Sequence, residues 1–487
     1  MKRSGGGEVI DLTDDDTSSS RNKIARTNSG QRSHSNRSRE SQSYNTSSGS
    51  QRSNCYGRET GFQNYNRSER GYQESYLSEN WLGFQPTRIQ QSWALQFRNS
   101  EDNYERHQFP DPDIFSHPSQ RFRISLNPDP DRFTPVAEEL AEPIPRDKIR
   151  LGASKWKSLT NTIFDEYRKT QQSLGTMKEK IKLWKEIYGA IMKEFDCGLF
   201  VFGSTFNGFG GDDSDIDMCL FPHGAPSFDA KQKLNIVRKI LKENCSHVIR
   251  TNIELIPAKV PILKFMDRRG NYEIDLSIEN PTSIRNTHLL YYYSKLDYRV
   301  RPLVLAVKLW AKHHRINEAK NQTLSSYTLT LMVIHYLQSG TSPQVLPCLH
   351  QLYPDTFFFS SDIFCLSYLD SPRFRSENQD SAGSLLVGFF KYYSSETLFN
   401  TRRDVASVRT GRILDGEDCQ EFARREKLGP GQWTAYLLVE EPFDRTNAAR
   451  AVCSADKWRL IQSVFKSTCS YLESTKISTL IFQDLLN

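Results

Sequence analysis

The sequence predicts an α+β protein that follows a long disordered N-terminal tail. Two predicted strands flank a glycine-rich turn at residues 199–221, and a predicted hairpin follows at residues 260–278. Apolar residues at helical spacing precede these strands and dominate the chain after residue 281. Residues 1–145 sustain neither the alternating pattern of a strand nor the helical spacing of apolar residues. We therefore expect a tail, then a domain built on strands, then a mostly helical domain.

Residues 1–145 are rich in Ser, Arg, Asn and Gln, and they account for the low hydrophobic content of the chain, 37%. One short apolar run stands out in this tail. It consists of Val9, Ile10, Asp11 and Leu12, and acidic residues follow it. The run resembles a SUMO-interaction motif, which would add a strand to a sheet edge beside basic residues. A chance occurrence is the alternative.

Charge and cysteine usage exclude several classes of protein. The nine cysteines form no Cys-x-x-Cys pair, which argues against a zinc site and a disulfide framework and fits a reducing compartment. The N-terminus lacks the apolar core of a signal peptide, and no run approaches the ~20 apolar residues of a membrane span. The net charge of +6 is compatible with nucleic acid. We expect a soluble intracellular protein without membrane contact.

The central motif places Gly203 and Ser204 in the turn, and Asp215 and Asp217 on the second strand. The two aspartates are two residues apart, so their carboxylates project from one face of the strand. Such a pair repels unless a cation lies between the groups, and Mg²⁺ prefers oxygen ligands. The turn offers backbone N–H groups and a hydroxyl to phosphate oxygens. A solvated strand edge beside a tight turn is the alternative, but the order and spacing favour a metal–phosphate site.

Asp275 supplies a third candidate carboxylate. It lies on the second strand of the predicted hairpin, where Ile274 and Leu276 face a core, so its carboxylate lies on the opposite face. If this strand lies beside that of Asp217, three carboxylates meet at the same metals. Two-metal phosphoryl transfer needs ligands for ions roughly 3.5–4 Å apart. A solvated acid is the alternative role for Asp275.

The Gly-Ser turn with its three aspartates resembles the DNA polymerase β-like nucleotidyltransferase superfamily. Downstream motifs resemble the cytoplasmic poly(A) and poly(U) polymerases, and especially the poly(A) RNA polymerases of the germline-development type. These motifs are Asn286-Thr287, Lys308 to Lys312, Leu324 to Tyr327, and Glu441 to Asp444 with Asn447. The resemblance covers about residues 146–475. The loop between the Gly-Ser turn and the strand of the aspartates is unusually acidic, and we expect the side chains of Asp212 and Asp213 in it to be solvated.

The resemblance implies a domain organisation and a metal requirement. Residues 146–175 would form an N-terminal helix that packs on the central domain. Residues 176–280 would form a polymerase-β-like nucleotidyltransferase domain, with a mixed sheet and helices. Residues 281–487 would form the mostly helical central and poly(A)-polymerase-associated domain. In this family the three aspartates bind two Mg²⁺ (or Mn²⁺) ions, and the helical domain closes over the nucleotide.

Two lysines and a tyrosine are candidate contacts for ATP. Lys308 and Lys312 are four residues apart on a predicted helix, so both ammonium groups lie on one face and could bind a triphosphate. A solvated basic face is the alternative. Tyr327 could stack on a base for ~1–3 kcal/mol, unless it is a core residue, and Ser326 could contact phosphate. The resemblance adds further nucleotide-binding residues: Gly203, Ser204, Asn286, Thr287, Thr446 and Asn447.

Thr446 bears on the choice of base. In the poly(U) members, the segment after the Pro-Phe pair carries a histidine before an asparagine, and that histidine favours uracil. Thr446 takes that place here, directly before Asn447. Threonine is smaller and leaves room for a purine. The resemblance therefore predicts a preference for ATP over UTP.

The predicted activity is template-independent addition of adenylate to RNA 3′ ends, which extends mRNA poly(A) tails with ATP and two divalent ions. A terminal uridylyltransferase is one alternative, and a catalytically silent RNA-binding scaffold is another. The intact acidic trio and both lysines count against the scaffold. The folded part contains no recognisable RNA-reading module, so we expect a sequence-specific RNA-binding protein partner. The expected location is the cytoplasm, and a nuclear fraction is compatible with it.

Overall fold

A computed structural model of the chain describes residues 128–152, 154–194, 196–222, 229–258, 260–366, 374–428, 433–474 and 480–486. The SUMO-like run at residues 9–12 lies outside these described ranges. No helix within the ranges has both the length and the apolar character that crossing a membrane requires.

Folded structure begins before residue 145, so the predicted end of the tail comes too late. Helix α1 (Thr134–Ala141) follows a 3₁₀ turn that contains Phe133. The ring of Phe133 is buried and packs edge-on against Trp184, with ring centroids 5.1 Å apart. A helix of eight residues offers barely two turns of apolar spacing, and this short signal is hard to distinguish within a polar tail.

The first domain contains a five-stranded sheet in the order β1-β2-β5-β4-β3. The strands are β1 (Cys197–Phe202), β2 (Ile216–Pro222), β3 (Glu254–Ile256), β4 (Ile262–Met266) and β5 (Glu273–Ile278). β2 and β5 pair in parallel, and the other neighbours are antiparallel. The mixed sheet confirms the α+β fold class. Ile216, Met218 and Leu220 on β2 are fully buried, which leaves the opposite face for Asp217.

Helices surround this sheet and continue into a second domain. Helices α3 (Leu174–Met192) and α4 (Ala230–Asn244) belong to the first domain, whereas α2 (Lys157–Thr170) precedes them in the chain but packs with the second. The second contains α5 (Pro281–Leu296), α6 (Val300–His313), α7 (Ser326–Ser339), α8 (Leu349–Leu352), α9 (Ala382–Ser394), α10 (Gly416–Arg425) and α11 (Ala455–Ser474). Trp310 on α6 is buried between Phe390 and Phe465, with ring centroids 4.5 and 4.8 Å away. Helix α2 packs against α6 and α9, so its apolar face completes the core of the second domain.

The second domain also holds a small sheet, which the sequence analysis did not predict. Strands β6 (Asp404–Ser407), β7 (Arg412–Asp415) and β8 (Leu438–Glu440) pair in the order β7-β6-β8. With helix α10 they enclose a separate small core around Val405 and Trp433. Strands of three or four residues are too short to reveal an alternating pattern. The sheet matters for the site because β8 leads directly into the loop at residues 441–447.

Candidate active site

Asp215, Asp217 and Asp275 lie at the same end of the five-stranded sheet. The parallel register places Asp217 directly beside Asp275, and Asp215 immediately precedes β2. Gly203 closes the site from β1, with a φ of +74°. A Cβ at this position would lie 2.3 Å from Oδ2 of Asp217. Glycine is therefore required here by both backbone conformation and space.

The three carboxylates carry more negative charge than their surroundings offset. Burial, followed by the charges of Asp275 and Asp215, raises the pKa of Asp217 to about 7. Burial also raises the pKa of Asp215 and of Asp275. A cation between these groups would favour their ionised forms. Carboxylate oxygens are the donors that Mg²⁺ and Mn²⁺ prefer, so the chemistry of the residues fits the metals predicted.

Of the three aspartates, Asp275 is the one that contacts Lys264. Among the described residues, no three His, Cys, Asp or Glu side chains are already gathered around one metal-sized space. Lys264 lies directly across from Asp275 on β4, and its Nζ is 3.3 Å from Oδ1 of Asp275. Lys264 also pairs with Glu273, which offers the ammonium a second acceptor. A carboxylate has two oxygens, so Asp275 can keep this contact and offer its other oxygen to a divalent ion shared with Asp217.

The Gly-Ser turn is tied to the first helix of the second domain. The Gly203 N–H donates to Oγ1 of Thr287 at 2.8 Å, and the Thr287 hydroxyl donates to the Ser283 carbonyl at 2.8 Å. Thr287 also lines the cleft, so its predicted nucleotide contact stays a prediction, and its hydroxyl holds the turn. The half-buried side chain of Ser204 lines the adjoining cleft, where it can contact phosphate.

Lys308 and Lys312 line the same cleft, which has a volume of about 1080 Å³, but their surroundings differ. Lys308 is half-buried, and its Nζ donates to the Phe209 carbonyl at 2.8 Å. Burial lowers the pKa of Lys308 to about 8. Lys312 is exposed, and its Nζ lies 3.8 Å from Oδ2 of Asp213. Asp213, which was expected to be solvated, therefore lies close to Lys312, a candidate contact for the triphosphate.

Tyr327 joins the cleft to a buried polar network. Its half-buried side chain lines the cleft, while its hydroxyl lies 2.6 Å from Oδ1 of Asn286 and 3.1 Å from Oε1 of Glu441. Nδ2 of Asn286 donates to the same Glu441 oxygen at 2.6 Å. Burial raises the pKa of Glu441 to about 7. The network fixes the tyrosine at its hydroxyl end. Ser326, next to it, is exposed on the cleft and hydrogen-bonds Asn317.

Glu441 also shapes the loop at residues 441–447. Its Oε2 accepts the backbone N–H groups of Phe443, at 2.9 Å, and Asp444. Neither Thr446 nor Asn447 is among the residues that line the cleft. Asn447 is fully buried, and its amide group hydrogen-bonds neighbouring backbone. The structure thus gives Asn447 the task of holding the loop, in place of the nucleotide contact predicted for it.

Two buried side chains behind the aspartates escaped the sequence analysis. Lys180 on α3 is 1% exposed, and Gln172 is 4% exposed. Nζ of Lys180 donates to Oε1 of Gln172 at 2.7 Å and to the Ser214 carbonyl at 2.6 Å. A signal was present, since Lys180 stands at helical spacing between Met177 and Trp184, on the apolar stripe of α3. A lysine at such a position is a candidate for a special role.

Two family models match the chain over the domains that form the cleft. The first, "Poly(A) RNA polymerase, mitochondrial-like, central palm domain", matches residues 159–295. The second, "Cid1 family poly A polymerase", matches residues 381–447. Together they include the three aspartates and the loop that carries Glu441.

Curated relatives share the name poly(A) RNA polymerase GLD2. The mouse (Mus musculus) protein is 38% identical over 365 residues, which are 73% of this chain and 72% of that protein. A Drosophila melanogaster protein, gld-2 homolog A, is 40% identical over 347 residues, which are 69% of this chain and 25% of that protein. The chain thus spans about a quarter of the length of the Drosophila relatives that it matches.

Solved structures share the fold. One is the GLD-2/RNP-8 complex, with a TM-score of 0.57 and 33% identity, covering 69% of this chain and 98% of that one. Another is a variant of the Cid1 poly(U) polymerase bound to MgATP, with a TM-score of 0.56 and 27% identity, covering 67% of this chain and 98% of that one. Both matches extend over nearly the whole of the solved chain.

Proposed function

Because the chain belongs to the GLD2 family of poly(A) RNA polymerases, we propose that it adds adenylates to RNA 3′ ends without a template. The observation that carries this proposal is the opposition of charges across the cleft. Asp215 and Asp217 lie on one side, with Asp275 beside them, and Lys308 and Lys312 lie on the other. Such a cleft suits a nucleoside triphosphate and divalent ions.

The reaction is the attack of an RNA 3′-hydroxyl on the α-phosphorus of ATP. Asp275 orients that hydroxyl and accepts its proton, the new phosphodiester bond forms, and the bond to the leaving pyrophosphate breaks. Asp215 and Asp217 would hold two divalent ions, Mg²⁺ or Mn²⁺. When bound, the ions offset the charge that develops on the transferred phosphate and the leaving group.

The opposite side of the cleft holds the nucleotide. Lys308 and Lys312 bind the triphosphate, and the hydroxyl groups of Ser204 and Ser326 contact phosphate oxygens. Tyr327 stacks on adenine through its ring, because its hydroxyl is already engaged by the buried network. Since stacking does not distinguish bases, the preference for ATP must come from pocket shape and from contacts to the base edge.

The protein works with an RNA-binding partner in the cytoplasm. A sequence-specific RNA-binding protein would select the mRNA, in keeping with the complex in which a GLD-2 chain was solved. The chain alone should bind RNA weakly, in a salt-sensitive manner and without sequence preference. Sequence-selective binding by the chain alone at physiological salt would contradict this part of the proposal.

The activity is tested by incubating the purified chain with a short RNA, Mg²⁺ and each nucleoside triphosphate separately, and then with ATP and UTP in competition. We expect extension with ATP in preference to UTP, and none by Asp215→Ala. Equal use of UTP would replace the proposal with a uridylyltransferase. RNA binding without extension by any nucleotide would leave the scaffold role.

A further inference from the structure

Lys180 is an unusual residue because its ammonium group is almost wholly removed from water. A lysine is seldom fully buried unless it is paired with an acid. The acceptors of its hydrogen bonds are instead neutral, namely Oε1 of Gln172 and the Ser214 carbonyl. The ring of Tyr272 lies 5.3 Å from its Nζ. Burial of a charge is costly, and the carboxylates of Asp215 and of the loop before it offset part of that cost, which ties the ammonium group to the catalytic motif.

Gln172 links Lys180 to the other half of the catalytic motif, which is the Gly-Ser turn. Its Nε2 donates to the Thr205 carbonyl at 3.0 Å, and its backbone N–H donates to the Gly210 carbonyl at 3.2 Å. The Thr205 carbonyl follows directly after Ser204, and the Ser214 carbonyl directly precedes Asp215. Two hydrogen-bonded side chains therefore bridge the Gly-Ser turn and the strand of the aspartates.

The backbone around Gln172 reinforces this bridge. Gln171 pairs with Gly211 as an isolated antiparallel bridge, and the Ser173 N–H donates to Oδ1 of Asp212 at 2.7 Å. A Cβ on Gly211 would lie 2.7 Å from the Thr170 carbonyl, so glycine is needed for this close approach. Asp212, which was expected to be solvated, is thus one of the points where the loop is fastened.

We propose that Lys180 and Gln172 are positioning residues that fix the separation between the phosphate-binding turn at Ser204 and the catalytic aspartates. Phosphoryl transfer requires the reacting atoms to be held in a near-attack arrangement, and a shift of about 1 Å can cost ~10²-fold in rate. Neither side chain is among the residues that line the cleft, so they act through the backbone carbonyls of Thr205 and Ser214. The kinetic consequence rests on the proposed nucleotidyl transfer, but the structural consequence does not.

The first test compares Lys180→Met with two other variants. Methionine keeps the length of the side chain but cannot donate a hydrogen bond, so we expect kcat to fall roughly 30–100-fold while KM for ATP stays within about twofold. Gln172→Glu keeps an acceptor for Lys180 but loses the donor to Thr205, and we expect about a fivefold loss in kcat. Lys185→Met removes an exposed lysine of the same helix that pairs with Asp131, and it should behave as wild type.

The second test uses amide hydrogen exchange, which does not depend on activity. Exchange in the segment 203–215 should accelerate at least about tenfold in Lys180→Met, while helices α6 and α7 exchange as in wild type. Gln172→Glu should accelerate the same segment, and this variant decides the matter if Lys180→Met does not fold.

The proposal is overturned if exchange in this segment and kcat both match wild type in either folded variant. It is equally overturned if exchange accelerates throughout the protein, because Lys180 would then support general stability only. If the wild-type protein transfers a nucleotide other than adenylate, the proposed function fails, whereas both tests can be repeated with that nucleotide.

Discussion

The two sides of the cleft differ in the sign of their charge and in how their charged and polar groups are held within the protein. On the sheet side, the three aspartates crowd together, and burial raises the pKa of each. On the helical side, Lys308 donates to a carbonyl, and Tyr327 is held by its buried network. The sheet side therefore suits divalent cations, while the helical side is preorganised.

This difference separates two roles that charge alone would not distinguish. Catalysis by the carboxylates of the sheet side requires divalent ions, so these residues should control kcat and the response to such ions. The groups of the helical side are already positioned, so they should control KM and the choice of nucleotide. The predictions below test this division, from the largest expected effect to the smallest.

The largest effect should come from Asp217→Asn. This change removes a charge from the point where Asp217 meets Asp275, and we expect kcat to fall by more than about 10³-fold, on the scale of other lost charge stabilisation. Initial rates of RNA extension measure it. Asp213→Asn is the matched control, because Asp213 is exposed and outside the trio, and this variant should keep most of its activity. Extension at the wild-type rate by folded Asp217→Asn would remove the trio from catalysis.

Lys308 and Lys312 should differ in their contribution to ATP binding, although the sequence pattern gives them the same role. Lys308→Met should raise KM for ATP about tenfold or more, because a half-buried charge acts through a low dielectric. Lys312→Met should raise KM about twofold to threefold, since its charge is exposed and screened by salt. Titrations with ATP at two salt concentrations measure both. An equal effect of the two variants would show that burial does not set their roles.

A smaller effect on KM should distinguish the role of the Tyr327 ring from that of its hydroxyl. Tyr327→Phe keeps the stacking surface but loses one hydrogen bond to the network, so KM for ATP should rise only about twofold to fivefold. Tyr327→Ala loses the stacking as well, and its KM should rise by a further factor of about ten. Similar values for the two variants would mean that the ring does not stack on the base.

The last prediction concerns stability without metal, a property separate from the three kinetic effects. The pKa of Asp217 is raised from 3.8 to about 7 on folding, so the folded state favours the proton in this window. Its contribution to stability is present below about pH 4 and is lost as the pH rises to about 7, at no more than ~1.4 kcal/mol per pH unit. Thermal unfolding in EDTA should therefore show a steeper loss with rising pH for wild type than for Asp217→Asn. Parallel curves would contradict the raised pKa.

The sequence was most informative where function restricts residue type and spacing together. The Gly-Ser turn, the pair of aspartates and the hairpin with Asp275 predicted strands with carboxylates on one face, and the resemblance that they carry implied the mixed sheet, with which the register of β2 and β5 agrees. Each inference used the two-residue period of a strand, which is local. Local rules also gave the spacing of Lys308 and Lys312, but could not reveal that only one of them is half-buried.

Long-range contacts explain what the sequence analysis missed or misjudged. Asn447 looked like a nucleotide contact because of its motif, but its amide is used by the backbone around β8. The hydroxyl of Thr287 accepts a hydrogen bond from Gly203, a contact that the sequence analysis did not predict. Lys180 was not singled out in the sequence analysis, and its role follows from the hydrogen bond that it donates to the Ser214 carbonyl of the loop. In each case the partner is set by tertiary packing, which no short window of sequence contains.

The short helix α1 has a practical consequence for anyone who prepares a fragment of this protein. The carbonyl of Leu140 accepts a hydrogen bond from Arg301 at 2.6 Å, while Phe133 packs on Trp184, so the segment fastens the second domain to the first. A fragment that starts at residue 146 would expose the apolar surface that Phe133 covers, at a cost of roughly 1.5–3 kcal/mol for that side chain alone. A fragment that starts at residue 128 would retain this link between the domains and would keep that apolar surface covered.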